Sequence, residues 1–298
     1  MMWELMKIYK IKIIFFLTIC LFAIRFFNIQ SGHKEIKKVM NENFLKLLTK
    51  FNIEHDGTLE DIVKKTQAQW LRKPGTERWE MDNIVVDDEA EEIFKKLGFI
   101  NMVIPKESQY DYCLVLGASA PRIKNRLDFL IKIWDEGVRF NRIFVLTGQR
   151  KLDSIGDSLP HLEFYETEIS TETDYIKFLV KKADFPQDLR DIICFIDTPT
   201  PRGKSRPSTD DTVKFWLEDH EPIPGSCLCI SSQPFINYQD SVLKTFLLPL
   251  NFKVETVGFF DRSIFNKSIV LDSIARFLYQ EKNRIQNGQA PSQLLGLS

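Results

Sequence analysis

The chain has 298 residues, 40 basic and 41 acidic, a formal net charge of −1 and 44% hydrophobic residues, enough apolar mass for one sizeable domain plus an extension. That balance excludes general disorder and any global electrostatic pull toward nucleic acid, which is not an expected partner. The five cysteines (Cys20, Cys113, Cys194, Cys227, Cys229) form no CxxC pair, and His33, His55, His161 and His220 are scattered, so the pattern predicts small buried thiols and no structural zinc.

The N-terminus reads MMWELMKIYKIKIIFFLTICLFAIRFFNIQ. Residues 13–24 are uncharged, and as a helix they span about 18 Å against a hydrocarbon core of ~30 Å. With Lys10, Lys12 and Arg25 reaching toward the interfaces, residues 8–29 are long enough to cross. Residues 1–30 therefore read as an uncleaved membrane anchor, with a cleaved signal segment as the alternative and a buried helix of a soluble chain third. Lysines and arginines on both sides leave the orientation open. An export signal favours an exterior location and the apolar cysteines a reducing one.

Residues 31–108 read as a helical extension. Ile36, Val39, Met40, Phe44, Leu47, Leu48 and Phe51 recur at helical spacing. Thr58 with Asp61 resembles a capping box opening a second helix. Residues 87–97 form a third, acidic at its start and basic at its end, with Gly98 as C-cap. Between the second and third lies WLRKPGTERWEM, where Trp70 and Trp79 are expected to anchor the extension on the main domain.

From residue 109 to 284 the pattern changes. Apolar runs at 112–116, 142–146, 192–196, 227–231 and 253–257 alternate with helical patterns at 122–136, 171–182, 208–218, 237–247 and 268–284. Near-continuous apolar runs indicate strands buried on both faces, so the prediction is a parallel α/β sheet of about five strands with helices on both sides. Residues 285–298 read as a loose tail.

Open parallel sheets bind ligands outside the carboxyl ends of their strands. Those ends carry Gly117 and Ser119 ahead of Arg122 and Arg126, then Thr147, Gly148 and Arg150, then Asp197, then Ser231. Gly117 permits close approach of a ligand or a neighbouring backbone, and Ser119 with the amides after it suits an anion at a helix start. The guanidinium of Arg150 suits phosphate or carboxylate, or an acidic neighbour. Neither a GxGxxG nor a P-loop spacing is present, so a dinucleotide or ATP is not indicated. Thr171 to Asp174 and Ser208 to Asp211 both have capping-box form. Beyond capping, Glu172, Thr209, Asp210 and Thr212, beside Asp197, make a candidate acidic rim, able to act as general base, bind hydroxyls or hold a divalent ion. Glu172, Asp197 and Asp211 are the catalytic candidates. Gly117, Ser119, Arg126, Thr147, Gly148, Arg150, Thr209 and Ser231 are the ligand-binding ones.

Taken in order, Leu116-Gly117, Arg126, Gly137, Leu146-Thr147-Gly148, Thr171-Glu172-Thr173, Ser208 to Thr212 and Ile230-Ser231-Ser232 resemble the SanA/ElyC/YdcF-like family, a domain of unknown function, over residues 110 to 260. The resemblance implies a Rossmann-like three-layer α/β/α sandwich, an N-terminal tether in a bacterial inner membrane with the soluble part periplasmic, and a link to the cell envelope. It also implies a polar pocket involving Gly117, Arg126, Thr147, Gly148, Glu172, Thr209 and Asp211, and a nucleotide-like ligand such as S-adenosylmethionine goes with some members of the family. The chain departs from that pattern as a divergent subgroup: Thr212 stands where Asn is usual, and SSQPFINYQD lacks the family's His. Three functions follow as expectations: a pocket for a small anionic or nucleotide-like ligand, a hydrolase or transferase on a phosphorylated or glycosylated substrate, or a non-catalytic interaction module. No cofactor and no oligomeric state are specified.

Overall fold

The computed structural model describes residues 40–152, 169–182 and 185–296. The anchor read at residues 1–30 lies outside them, and no helix among the described residues is long and apolar enough to cross a membrane.

The extension forms α1 (Glu42–Lys50), α2 (Leu59–Trp70) and α3 (Asp88–Lys96). Each opens on an oxygen that accepts from a first-turn amide: Asn41 from Asn43, Thr58 from Asp61, and Asp87 from Ala90. Gly98 follows α3 with φ of 68°, the left-handed conformation expected after a helix end.

The sheet comprises β1 (Gln109–Leu116), β2 (Arg139–Gly148), β3 (Ile193–Thr198), β4 (Ser226–Ser232) and β5 (Lys253–Phe259), all parallel, in the order β3-β2-β1-β4-β5. Helices α4 (Ala120–Asp135), α5 (Glu172–Lys182), α6 (Gln187–Asp191), α7 (Thr209–His220), α8 (Ile236–Leu247) and α9 (Lys267–Gln286) complete it. The strands alternate as a pleat requires. Cys113, Val115, Ile143, Val145, Leu228 and Ile230 face one side, against Leu127 and Leu130 of α4 and Ile176 of α5. Leu114, Leu116, Phe144, Leu146, Cys227 and Cys229 face the other, against Trp216 of α7 and Leu243 of α8. Burial on both faces is what the near-continuous apolar runs encode, and the result is the expected three-layer α/β Rossmann-like sandwich.

The extension shares its core with α9. Phe44, Leu47, Ile62, Val63, Trp70 and Phe94 pack with Ile274, Phe277 and Leu278, and the Phe44 and Phe277 rings stack with centroids 6.0 Å apart. Trp70 is thus an anchor; the Trp79 side chain lies outside the described set.

The tail differs from its sequence reading. Helix α9 runs on to Gln286, and a turn at Gln293–Leu295 buries Leu295 completely in the extension core. The Asn41 amide donates to the Leu295 carbonyl at 2.7 Å, and buried Glu281 accepts from Arg284 and from the Ser292 amide. A single leucine with polar backbone contacts has no periodicity for a sequence pattern to register. Leu295→Ala is expected to cost about 2–5 kcal/mol in urea denaturation, whereas a loose tail would leave the midpoint unchanged.

Candidate functional site

Because all five strands run the same way, their polar carboxyl ends share one edge. A cavity of about 730 Å³ opens there, walled by the ends of β1 and β2, the starts of α4, α5, α7, α8 and α9, and the extension turn that carries Arg72, Glu77 and Arg78. The strand order reverses between β1 and β4, so that crevice is the ligand position of this fold.

Arg126 occupies the crevice. Its side chain, one turn along α4 from Arg122, is 1% exposed. Nη1 donates to the carbonyls of Leu116 (2.6 Å) and Gly117 (2.9 Å), while Nη2 donates to Ser232 Oγ (3.1 Å), Ser231 Oγ (3.4 Å) and Gln239 Oε1 (3.4 Å). Every one of these acceptors is neutral. Burial, then the nearby guanidiniums of Arg122 and Arg78, push Arg126 down to about 9, with Glu172 opposing.

Glu172 opens α5 and is 8% exposed. Arg150 Nε donates to its Oε2 at 3.0 Å, and the Glu172 amide donates to the Arg150 carbonyl at 2.9 Å. Gly117 is needed for proximity: a Cβ there would overlap Glu172 Oε1 and stand 2.9 Å from the Leu146 carbonyl. Gly148 is needed likewise, since its Cβ would lie 2.5 Å from Pro207 Cγ. Thr147 Oγ1 donates to the Ile196 carbonyl at 2.8 Å, Thr209 Oγ1 accepts from Gln239 at 3.2 Å, and Ser119 heads α4 with no side-chain capping bond. All six of these residues, with Arg126 and Arg150, line the cavity.

The wall is cationic. Arg72, Arg78, Arg122, Arg126, Arg150, Lys204, Arg206 and Arg276 line it beside two carboxylates, Glu77 and Glu172. Glu77 Oε2 bridges Arg72 (3.0 Å) and Arg206 (3.2 Å). Buried Asp272 takes a two-point contact from Arg276 (2.8 and 3.0 Å), with Arg78 at 3.5 Å, and Asp211 pairs with Lys204 at 2.7 Å. Among the described residues, four carboxylates thus pair with six of the eight cations, and Arg122 and Arg126 have no ion-pair partner. The guanidiniums of Arg78 and Arg122 rest on the Phe235 ring, 4.6 and 4.9 Å from its centroid. Burial brings each of them down to about 10.

Three sequence candidates fall outside the cavity wall. Asp197, on edge strand β3, accepts from Thr173 Oγ1 at 2.6 Å and Gln149 Nε2 at 3.2 Å. Asp211 closes the capping box of α7 with Ser208; burial raises its carboxyl, but hydrogen bonds from Lys204 and Ser208 prevail and hold it below the usual range. Ser231 is fully buried, where it supports Gln239 and Arg126. Of the acidic candidates, Glu172 alone lines the cavity, and each carboxylate has its own partner. Among the described residues no group of three or more His, Cys, Asp or Glu could hold a metal.

The contribution of the extension went unread in the sequence. Arg72, Glu77 and Arg78 reach the cavity because Ser268 donates to the Asp82 carbonyl, Asn266 to the Met81 carbonyl at 3.0 Å, and the Arg72 amide to Asp272 at 3.3 Å. The SSQPFINYQD segment joins in: Gln233 donates to the carbonyls of Gly98 (2.9 Å) and Asn101 (2.7 Å). The legible signals were the basic residues in LRKPGTER and in RGKSR before the α7 cap, and the i, i+4 spacing of Arg122 and Arg126.

Fold and site together define a Rossmann-like α/β protein with an arginine-rich cavity at its strand ends. No family model matches the chain, and no solved structure matches it. Similar curated proteins are uncharacterized proteins of Mycobacterium tuberculosis and Mycobacterium bovis, each 27% identical over 148 residues, covering 49% of this chain and 41% of the relative. The chain thus spans less than half the length of the curated relatives it matches.

Gly148→Ala is expected to destabilise the protein by about 1–3 kcal/mol in urea denaturation through its collision with Pro207. In a Pro207→Ala background, which removes the two nearest ring atoms, most of that loss should vanish, giving a coupling of about 0.5–3 kcal/mol in the double-mutant cycle.

Proposed function

We propose that the cavity binds a small anionic ligand, with phosphate as the favoured charged group. The observation that carries this reading is the pair Arg122 and Arg126: two cationic side chains on the wall with no carboxylate at ion-pair distance among the described residues, Asp261 and Glu172 acting on them only from farther off, and one of them fully buried on neutral acceptors. Taking a charge out of water costs several kcal/mol unless a counter-charge meets it. An oxyanion above the crevice would be that counter-charge, and arginine forks match phosphate and carboxylate geometry. The nucleotide-like form of the ligand, the membrane tether and an envelope role rest on the resemblance to the SanA/ElyC/YdcF-like family.

The test is thermal unfolding at fixed ionic strength with inorganic phosphate and phosphate monoesters against chloride. At 100 times Kd, a ligand specific to the folded state adds about 2.7 kcal/mol, a readily measured rise in Tm. Arg122→Ala should abolish that rise. No rise with any oxyanion, or an unchanged rise in the variant, rejects the reading.

Glu172 favours a second reading, a hydrolase or transferase, since it alone of the three catalytic candidates lines the cavity. It would act there as a general base beside charge-stabilising arginines. Glu172→Gln should then remove turnover of a phosphate ester while leaving the phosphate-induced rise in Tm; equal turnover in the variant rules this role out.

A further inference from the structure

We infer that the ligand carries two separated anionic groups, one held on each side of β1, as in a small bisphosphate. This deepens the anion-binding reading and rests on it. A cavity of about 730 Å³ lies in the range, roughly 300–1,000 Å³, that encloses a drug-sized molecule, and is far larger than one oxyanion requires.

The cations fall into two sets. On the β4 side, Arg78 and Arg122 converge on the ring of Phe235, in the turn between β4 and α8. On the β2 side, Arg72 and Arg206 converge on one oxygen of Glu77, and the neighbouring Pro207 packs on Gly148 at the end of β2. Strands β2 and β4 are separated by β1, and two strand spacings, about 10 Å, are the span such a ligand bridges.

The second set shows what it takes. Two guanidiniums already share a carboxylate oxygen there, and that carboxylate comes from the chain's own extension. Glu77 thus occupies the position of a ligand's second anionic group, and the bound ligand exchanges with it. Arg122, without an ion-pair partner among the described residues, receives the first group. Groups joined directly, as in pyrophosphate, are too short to reach both sets.

Isothermal titration with fructose 6-phosphate, fructose 1,6-bisphosphate and pyrophosphate as probes tests this. The bisphosphate should bind at least tenfold more tightly than the other two, since each charge-assisted contact contributes about 1.5–3 kcal/mol, or about 10–150-fold. Arg206→Gln and, independently, Arg72→Gln should weaken the bisphosphate about tenfold or more and leave the monophosphate within about twofold. Glu77→Gln should tighten the bisphosphate selectively. Equal affinity for all three probes, or equal losses for mono- and bisphosphate in both arginine variants, overturns the two-group inference while leaving a single-anion pocket standing, provided Arg122→Ala still abolishes binding. Failure of every probe to bind overturns both.

Discussion

The site depends on a positive charge buried beneath a strand crossover and satisfied only by uncharged oxygens. Arg126 closes the crevice between β1 and β4 from below, using the strand-end carbonyls and the serine hydroxyls that would otherwise face a ligand. In open sheets that crevice usually offers backbone amides to a bound group. Here a guanidinium covers the strand-end oxygens, so the floor is marked by charge more than by donor geometry. Direct hydrogen bonding passes to the side chains above it.

Those side chains come from parts of the chain that only the tertiary structure unites. Asp272 of α9 is the fastening point: it accepts from the Arg72 amide and from Arg276, and draws in Arg78. Its carboxyl, raised by burial but lowered more by hydrogen bonds from Arg276 and by the charges around it, remains below the ordinary range. Removing one partner from such a buried network leaves uncompensated charge, which makes the extension an integral wall of the cavity.

Much of the fold was legible because its signals are local. Five apolar runs bounded by turn residues gave the strands, and the capping pairs at Thr58 and Ser208 marked two helix starts to the residue. The sequence also pointed to the sheet edge where the cavity opens, and Gly117, Thr147, Gly148, Arg150 and Glu172 among its candidates line that cavity. Two of its catalytic candidates, Asp197 and Asp211, lie off the cavity wall as an acceptor for Thr173 and as a helix cap, short-range roles that look the same as a functional acid in a string of letters. The sequence reading expected an anionic ligand from Arg126 and Arg150, but the extent of the cationic wall went unread. The cations lie at 72–78, 122–126, 150, 204–206 and 276, spacings that no periodicity links. The near-zero net charge of the whole chain hides their concentration.

The bond between Asn41 and Leu295 has a topological corollary. The two ends of the described polypeptide leave the body side by side, on the shared core of α1 and α9 rather than on the sheet. In a variant cut to residues 40–296, a short linker could join these adjacent points, and a new opening could be cut at an exposed surface turn without disturbing the central sheet.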